Sequence, residues 1–372
     1  MRIAHIADTH LGYRQYNLDE REQDLYDVFN ELIDRIIEER PDIIIHAGDL
    51  FDSPNPRIKA LYTVKKALKK LDGKIPFYCI LGDHDIPKRR AMPPQALFDV
   101  KILGVYSLGY VKHNGVLIAG ISNIKGRAIP ILKKELKKFE VIAKDYKKSI
   151  LVLHQAIKTF LPFPGAYEIT ENDLPRGVTY YAMGHIHSRE ISRFGTGILA
   201  YSGSTEILRK DEISSWEKKG KGFFIVDIDQ DEPEIHKINL GVRPQINLVI
   251  EPDKINIIRE ELFKYNTTKK PILHVTVKGK NIRRNLVIHR ISDLVKDKVL
   301  CHRIRFSEEH QELRYDPNKR PNIADILKNL LGEELSDLAI DLYGRLSEND
   351  VDGAIEIAKK SLGVDLNVIE ED

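Results

Sequence analysis

The sequence predicts an α/β protein, and three observations carry that prediction. Short apolar strands alternate with amphipathic helices through the first half of the chain. The near-continuous apolar run at 42–47 marks a strand buried on both faces. Polar residues able to do chemistry fall where such strands run out, which is where α/β sheets place their sites. At 372 residues the chain exceeds one typical domain, and two or three are expected.

Taken in order, residues 2–7 form an apolar strand ending on Asp8. Asp19 is placed to cap a helix whose apolar positions Leu25, Val28, Phe29, Leu32, Ile33, Ile36 and Ile37 follow helical spacing, and Pro41 stops it. The strand at 42–47 delivers Gly48-Asp49, a helix follows at about 56–71, and a strand at 77–81 delivers Gly82-Asp83-His84-Asp85. Strands at 116–121, 150–154 and 179–183 continue the sheet, the last two ending at His154 and at Gly184-His185-Ile186-His187. Segments 200–205 and 221–227 read as closing strands of this core. The polar stretch 229–234 marks a boundary, giving a first domain at 1–230. A smaller α/β domain over 231–308 follows, with strands at 246–250, 272–278 and 299–306 and helices at 254–265 and 284–296. Residues 309–372 read as a linker and helices at 323–331, 335–346 and 351–361, with Gly332 and Gly363 as stops.

Composition narrows the classes. Hydrophobic content of 42% is ordinary for a soluble globular protein. No apolar run approaches the roughly 18–20 residues a membrane span needs. The N-terminus reads as a strand without a cleavage pattern, so a cytoplasmic location is expected. Cys79 and Cys301 lack paired spacing and read as buried thiols. The net charge of +2 conceals a division: residues 321–372 hold four basic and thirteen acidic residues, a net of −9, leaving +11 on residues 1–320. A basic body suits a polyanion, whereas an acidic tail suits a protein partner.

Five short blocks carry the chemistry: Asp8-Thr9-His10, Gly48-Asp49, Gly82-Asp83-His84-Asp85, His154 and His185-Ile186-His187. Carboxylates and imidazoles gathered from several loops are the ligand types of paired divalent metals. On an extended loop residues i and i+2 point the same way, so Asp8 and His10 can reach one ion, and His185 and His187 repeat the arrangement. Asp49 can approach closely enough to bridge two metals. The glycines before Asp49, Asp83 and His185 supply the backbone freedom of tight turns.

The block order D-x-H, G-D, G-[ND]-H-D, H, G-H-x-H resembles the calcineurin-like metallophosphoesterase superfamily. Within it, His5-Ile-Ala-Asp-Thr-His-Leu-Gly, His46-Ala-Gly-Asp-Leu-Phe-Asp, Met183-Gly-His-Ile-His and Tyr201-Ser-Gly-Ser-Thr-Glu are similar to the DNA-repair nuclease subfamily, the meiotic-recombination-eleven / SbcD group, with an archaeal cast. The resemblance covers about residues 1–230. It implies a two-sheet sandwich flanked by helices, a small α/β capping domain and a helical C-terminal tail. It implies one metal on Asp8, His10, Asp49 and His187, and a second shared by Asp49 with Asp83, His154 and His185. His84 would then face the scissile phosphate rather than a metal.

The cofactors implied are two Mn2+ ions, with Mg2+ a possible substitute. The activity implied is DNA nuclease action in double-strand-break repair: 3′-to-5′ exonuclease on duplex ends and endonuclease on single strands. The partners implied are DNA, a second copy met through helices of the phosphoesterase domain, and an ABC-type coiled-coil ATPase docked on the C-terminal helices. The setting implied is cytoplasmic, at the nucleoid.

Two departures stand out. The family usually has Asn at the position of Asp83, so a negative charge is added beside the second metal, expected to tighten metal binding. Some relatives carry His where Asp52 stands, so Asp52 is only a candidate support, as is Asp85, which could orient His84 or simply shape the turn. DNA-contact candidates on the site's loops are Tyr13, Arg14, Tyr16, Lys88, Arg89, Arg90, Arg189 and Arg209. Dimer candidates are segments 56–71 and 92–103, with Pro93, Leu97, Phe98 and Leu103. A generic phosphoesterase acting on nucleotides shares every ligand, and a catalytically silent DNA-end-binding scaffold would need a degraded one.

Overall fold

A computed structural model describes residues 1–87, 91–163, 165–230, 232–265, 268–280, 282–308, 323–347 and 350–362. The chain divides into two compact units, Met1–Glu308 and Glu309–Asp372.

The first unit opens with β1 (Arg2–Ile6), α1 (Asp19–Glu39), β2 (Ile43–His46), α2 (Ile58–Leu71), β3 (Phe77–Cys79) and β4 (Lys101–Ile102). There follow β5 (Gly109–His113), β6 (Val116–Ile121), α3 (Ile129–Ala143), β7 (Ser149–His154), β8 (Tyr180–Gly184), β9 (Glu190–Phe194) and β10 (Gly197–Tyr201). Then come α4 (Ile213–Lys219), β11 (Gly222–Asp227) and β12 (Glu234–Asn239). One sheet runs β12-β11-β1-β2-β3-β4 and a second runs β5-β6-β7-β8-β10-β9. The strands β1 to β4 are parallel, as are β6, β7, β8 and β10, and antiparallel strands close every edge except that of β4.

Strand alternation explains the layering. Ile43 and Ile45 join Ile3, Ile118, Ile150, Val152, Ala182 and Phe224 in one core between the sheets. Ile44 points the other way, into a core with Leu25, Phe29, Leu32 and Val64 of α1 and α2. Leu117, Leu151 and Tyr181 meet Leu132, Leu136 and Phe139 of α3 on the far side. The expected two-sheet sandwich flanked by helices is what forms.

Two local readings change. Asp19 is the first residue of α1 rather than its cap, and its carboxylate pairs with Arg14 at 2.7 Å. The boundary expected at 229–234 falls between two paired strands, β11 and β12. The N-terminal ammonium pairs with Asp229, and Lys148 donates to the carbonyls of Ile228 and Gln230. The first sheet therefore extends to Asn239, past the expected boundary at 230.

The capping sheet is β13 (Gln245–Ile250), β14 (Ile272–Gly279) and β15 (Cys301–Glu308), all parallel, with α5 (Ile257–Lys264) and α6 (Arg284–Val295) in the crossovers. Its core is Ile246, Ile258, Leu273, Val275, Val287 and Ile291. A buried polar network ties it to the sandwich. Arg243 grips Asp24 with Nε–Oδ2 2.6 Å and Nη2–Oδ1 3.0 Å, Arg21 adds a third bond to Asp24 at 2.7 Å, and Gln245 donates to Gln15 at 2.9 Å. Bidentate charge-assisted bonds of this kind fix orientation as well as proximity.

The second unit contains α7 (Ile323–Ser347) and α8 (Val351–Leu362). The expected stop at Gly332 does not occur, because a lone glycine costs a helix interior only about 1 kcal/mol. Asp350 turns the chain between the helices, accepting from Gly353 N at 3.0 Å and from Arg345 at 2.9 Å. Gly363 lies outside the described residues. Among the described residues no helix is long and apolar enough to cross a membrane.

Candidate metal centre

Five parallel strands deliver the site, each from its C-terminal end. Asp8 and His10 follow β1, Asp49 follows β2, Asp83 and His84 follow β3, His154 ends β7, and His185 and His187 follow β8. Their ligand-capable atoms form overlapping groups within 4.8 Å of one another: Asp8, His10 and His187; Asp83, His154 and His185; Asp8, Asp49 and His154; and His10, Asp49 and His84. Asp49 lies between the first two groups. Its Oδ2 is 3.5 Å from His10 Nε2 and 3.3 Å from His154 Nε2. Its Oδ1 is held by the backbone N–H of His84 at 2.9 Å.

The backbone is bent to achieve this. Among the described residues ten non-glycine positions have positive φ, and four of them are Asp8, His10, Asp49 and His185. Each such conformation costs of order 1–3 kcal/mol, a strain that clusters at functional sites. Asp8 and His10 thus share a group through left-handed turns (φ 52° and 43°), not through an extended loop. His185 and His187 separate into different groups instead of serving one. The glycines also divide their work. Gly48 has φ +95°, whereas Gly82 is required for room, since a Cβ there would lie 2.0 Å from Asp49 Oδ1.

The donor set suits divalent cations. His154 is fully buried and its Nδ1 donates to the Ala47 carbonyl at 2.7 Å, which aims Nε2 at the carboxylates. His154 Nε2 and Asp83 Oδ1 are buried 3.3 Å apart, and neither has a hydrogen-bond partner. Polar atoms are seldom left so in a native protein, and both are atoms that would hold a divalent ion. Oxygen and imidazole ligands fit Mn2+, Mg2+, Fe or Zn. Lys125 Nζ lies 3.2 Å from Asp83 Oδ2 and offsets part of the charge that Asp83 adds.

Burial alone would lower the imidazole of His10, but Asp52, Asp49 and Asp8 outweigh it and raise its pKa from 6.5 to about 9. Asp49 and Asp83 likewise raise His154 against its burial. In the metal-free chain the His10 proton stabilises the fold fully below pH 6.5, and that contribution is lost as pH rises through about 9. A metal needs the same imidazole deprotonated. Mn2+ affinity is therefore expected to climb between pH 6.5 and 9, and a calorimetric titration series that stays flat across that window would contradict it.

Supporting residues are partly as expected. Asp52 Oδ1 is 3.3 Å from His10 Nδ1, and its carbonyl accepts from His84 Nδ1 at 3.0 Å. Asp85 does not orient His84. It is fully buried and accepts from the backbone of Leu50, Phe51 and Gly82 at 3.0–3.1 Å, which makes it the turn former. Glu212, whose Oε1 is 2.7 Å from His187 Nδ1, was missed because no motif connects it to a ligand 25 residues away.

The expected DNA contacts fare unevenly. Arg189 is buried and is spent on the carbonyls of Lys219 and Ile238 and on Asn239. It cannot meet a backbone phosphate. Arg209 is exposed beside Asp211, and Arg14 is held by Asp19. Tyr13 packs on the core, and Tyr16 lies under the Arg303 guanidinium, 4.9 Å from its ring centroid. Lys88, Arg89 and Arg90 lie outside the described residues. Arg303 and Arg305 are exposed on β15, and their i, i+2 spacing in a strand puts both on one face.

Residues 1–189 match the family described as calcineurin-like phosphoesterase. The chain is 38% identical over 388 aligned residues to the DNA double-strand break repair protein Mre11 of Sulfolobus acidocaldarius, covering 98% of this chain and 100% of that one. It is 42% identical to the protein of that name from Sulfurisphaera tokodaii over 79% of this chain and 77% of that one. For the one from Methanocaldococcus jannaschii the figures are 38%, 94% and 96%. The chain belongs to the Mre11 family of calcineurin-like phosphoesterases, and is a metal-dependent nuclease.

Proposed function

We propose that the chain is a Mn2+-dependent DNA nuclease of double-strand-break repair that hydrolyses phosphodiester bonds at a two-metal centre. The observation that carries this reading is the convergence of seven side chains, Asp8, His10, Asp49, Asp83, His154, His185 and His187, with His84 exposed at their edge. Asp8, His10 and His187 would hold one ion, Asp83, His154 and His185 the other, and Asp49 both. Two ions bound there would supply Lewis-acid polarisation of the phosphodiester and activation of water.

The protein's own share is orientation and proton handling. The Nδ1–H of His84 donates to the Asp52 carbonyl, so Nε2 is the atom free to stabilise charge on, or give a proton to, the leaving oxygen. Burial, and after it the charges of Lys210, Arg303 and Arg305, lowers the imidazole of His274 to about 4, and those three cations make a positive face suited to the duplex backbone. The expected products are duplex-end exonuclease and single-strand endonuclease fragments. The test is an end-labelled linear duplex and a nucleotide phosphomonoester offered side by side in Mn2+. Cleavage of the duplex supports the reading, and turnover of the monoester alone would favour a generic phosphoesterase.

Two partner surfaces belong to the same reading. A groove of about 460 Å3 between α2 and the 97–99 turn is lined by Ile58, Leu61, Tyr62, Leu68, Leu97 and Phe98, and suits a second copy. Ile58 is 85% exposed and Leu97 59%, whereas Leu103 is buried and takes no part. On the second unit Leu335, Tyr343 and Leu346 of α7 and Val351 and Ile355 of α8 are exposed; the side chains of Ile323, Ile326, Leu327 and Leu330 lie outside the described residues. Exposed apolar helix faces seek a partner groove or helix, here a coiled-coil ABC-type ATPase. Deleting residues 321–372 is expected to abolish capture of that ATPase and leave Mn2+ affinity within about twofold; retained capture would refute the assignment.

A further inference from the structure

A buried ion pair stands behind one metal-binding imidazole. The Glu212 side chain is 4% exposed and that of Lys221 1%, and Lys221 Nζ lies 2.5 Å from Glu212 Oε2. Lys221 also donates to the His187 carbonyl at 2.8 Å and to Ser204 Oγ at 2.5 Å. Glu212 Oε2 further accepts from Leu208 N at 3.2 Å, while Oε1 is left for His187 Nδ1 at 2.7 Å. Lys221 therefore fixes both the carboxylate that His187 meets and the main chain that carries His187.

An ionised carboxylate accepts only, so His187 must carry its proton on Nδ1 and present the Nε2 lone pair. That Nε2 lies 3.3 Å from His10 Nε2, among the ligand atoms of Asp8 and His10. The backing differs across the centre. His154 donates to a neutral carbonyl, that of Ala47, and His185 Nε2 lies 3.8 Å from Glu168 Oε1. A carboxylate behind an imidazole raises its basicity toward a metal. Burying an ion pair is costly, and an apolar pair often fills such a space as well or better. Here the cost is incurred where the pair touches a candidate ligand.

We propose that Glu212, anchored by Lys221, is a positioning residue that locks His187 in its metal-binding tautomer and strengthens the Asp8–His10–His187 half of the centre over the Asp83–His154–His185 half. The inference rests on the two-metal reading above. It is tested by calorimetric titration of Mn2+ into the metal-free full chain, in a cycle of four proteins: parent, Glu212→Gln, His187→Ala and the double variant. Glu212→Gln should weaken one of two binding events by roughly 10–100-fold and leave the other within about twofold. In the His187→Ala background the same change should alter binding by less than about twofold, since nothing remains to orient. If Glu212→Gln does not fold, Glu212→Asp replaces it, keeping the charge but withdrawing it from Nδ1. Equal weakening in both backgrounds, or none in either, overturns the proposal and leaves the two-metal centre standing. A parent that takes up no Mn2+ overturns the two-metal reading itself.

Discussion

Replacing His84 with alanine is expected to slow phosphodiester hydrolysis by roughly 10²–10⁴-fold, the usual share of a positioned proton donor, with Mn2+ affinity changed by less than about twofold. The two halves of that expectation separate two roles. His84 also falls in a ligand-capable group with His10 and Asp49. Its side chain, however, is 45% exposed, and its Nδ1 is committed to the Asp52 carbonyl at 3.0 Å. Its tie to Asp49 runs through its backbone N–H, which alanine retains. Truncation thus removes the exposed imidazole while the backbone anchor to Asp49 persists. Single-turnover rates measured beside a Mn2+ titration decide the matter. A rate loss that tracks a loss of affinity would make His84 a ligand.

Much of this site could be read from the chain because each ligand block sits at the end of an apolar strand, and parallel α/β sheets gather those ends on one edge. Local sequence therefore held the positions of Asp8, Asp49, Asp83, His154 and His185. It did not hold what depends on distant carbonyls. Arg189 follows a ligand block and looks like surface charge, yet the carbonyls of Lys219 and Ile238 and the side chain of Asn239 enclose it. Glu212 sits on a short turn without periodicity, and it is the fold that brings Lys221, before β11, and His187, after β8, to it. The 229–234 stretch reads as a boundary because polar, Pro-containing segments join strands as well as domains. Its role is set by pairing of β12 with β11.

Asp49→Asn is expected to eliminate both Mn2+ binding events and reduce hydrolysis to background. The change keeps size and shape, so the strand end should remain packed, and Gly82 still has room against it. What it removes is a carboxylate whose Oδ2 approaches both His10 Nε2 (3.5 Å) and His154 Nε2 (3.3 Å). Asp8 lies farther from His154, at 3.9 Å, and turns both oxygens to the His185 N–H, at 3.1 and 3.2 Å. The consequence is also thermodynamic. With free Mn2+ at 100 times the dissociation constant, one occupied site stabilises the parent by about 2.7 kcal/mol through mass action. The variant should gain nothing, and its melting temperature should not respond to Mn2+. Loss of a single binding event with the other intact would contradict a shared ligand and confine Asp49 to one ion.

The claim on which the rest depends is that these seven side chains form one centre for two ions. Anomalous diffraction at the manganese edge, from crystals of the full chain grown in Mn2+, tests it most directly. Two peaks about 3.5–4 Å apart are expected, one beside Asp8, His10 and His187, the other beside Asp83, His154 and His185, with Asp49 between them. A single peak, or peaks away from Asp49, would contradict the account.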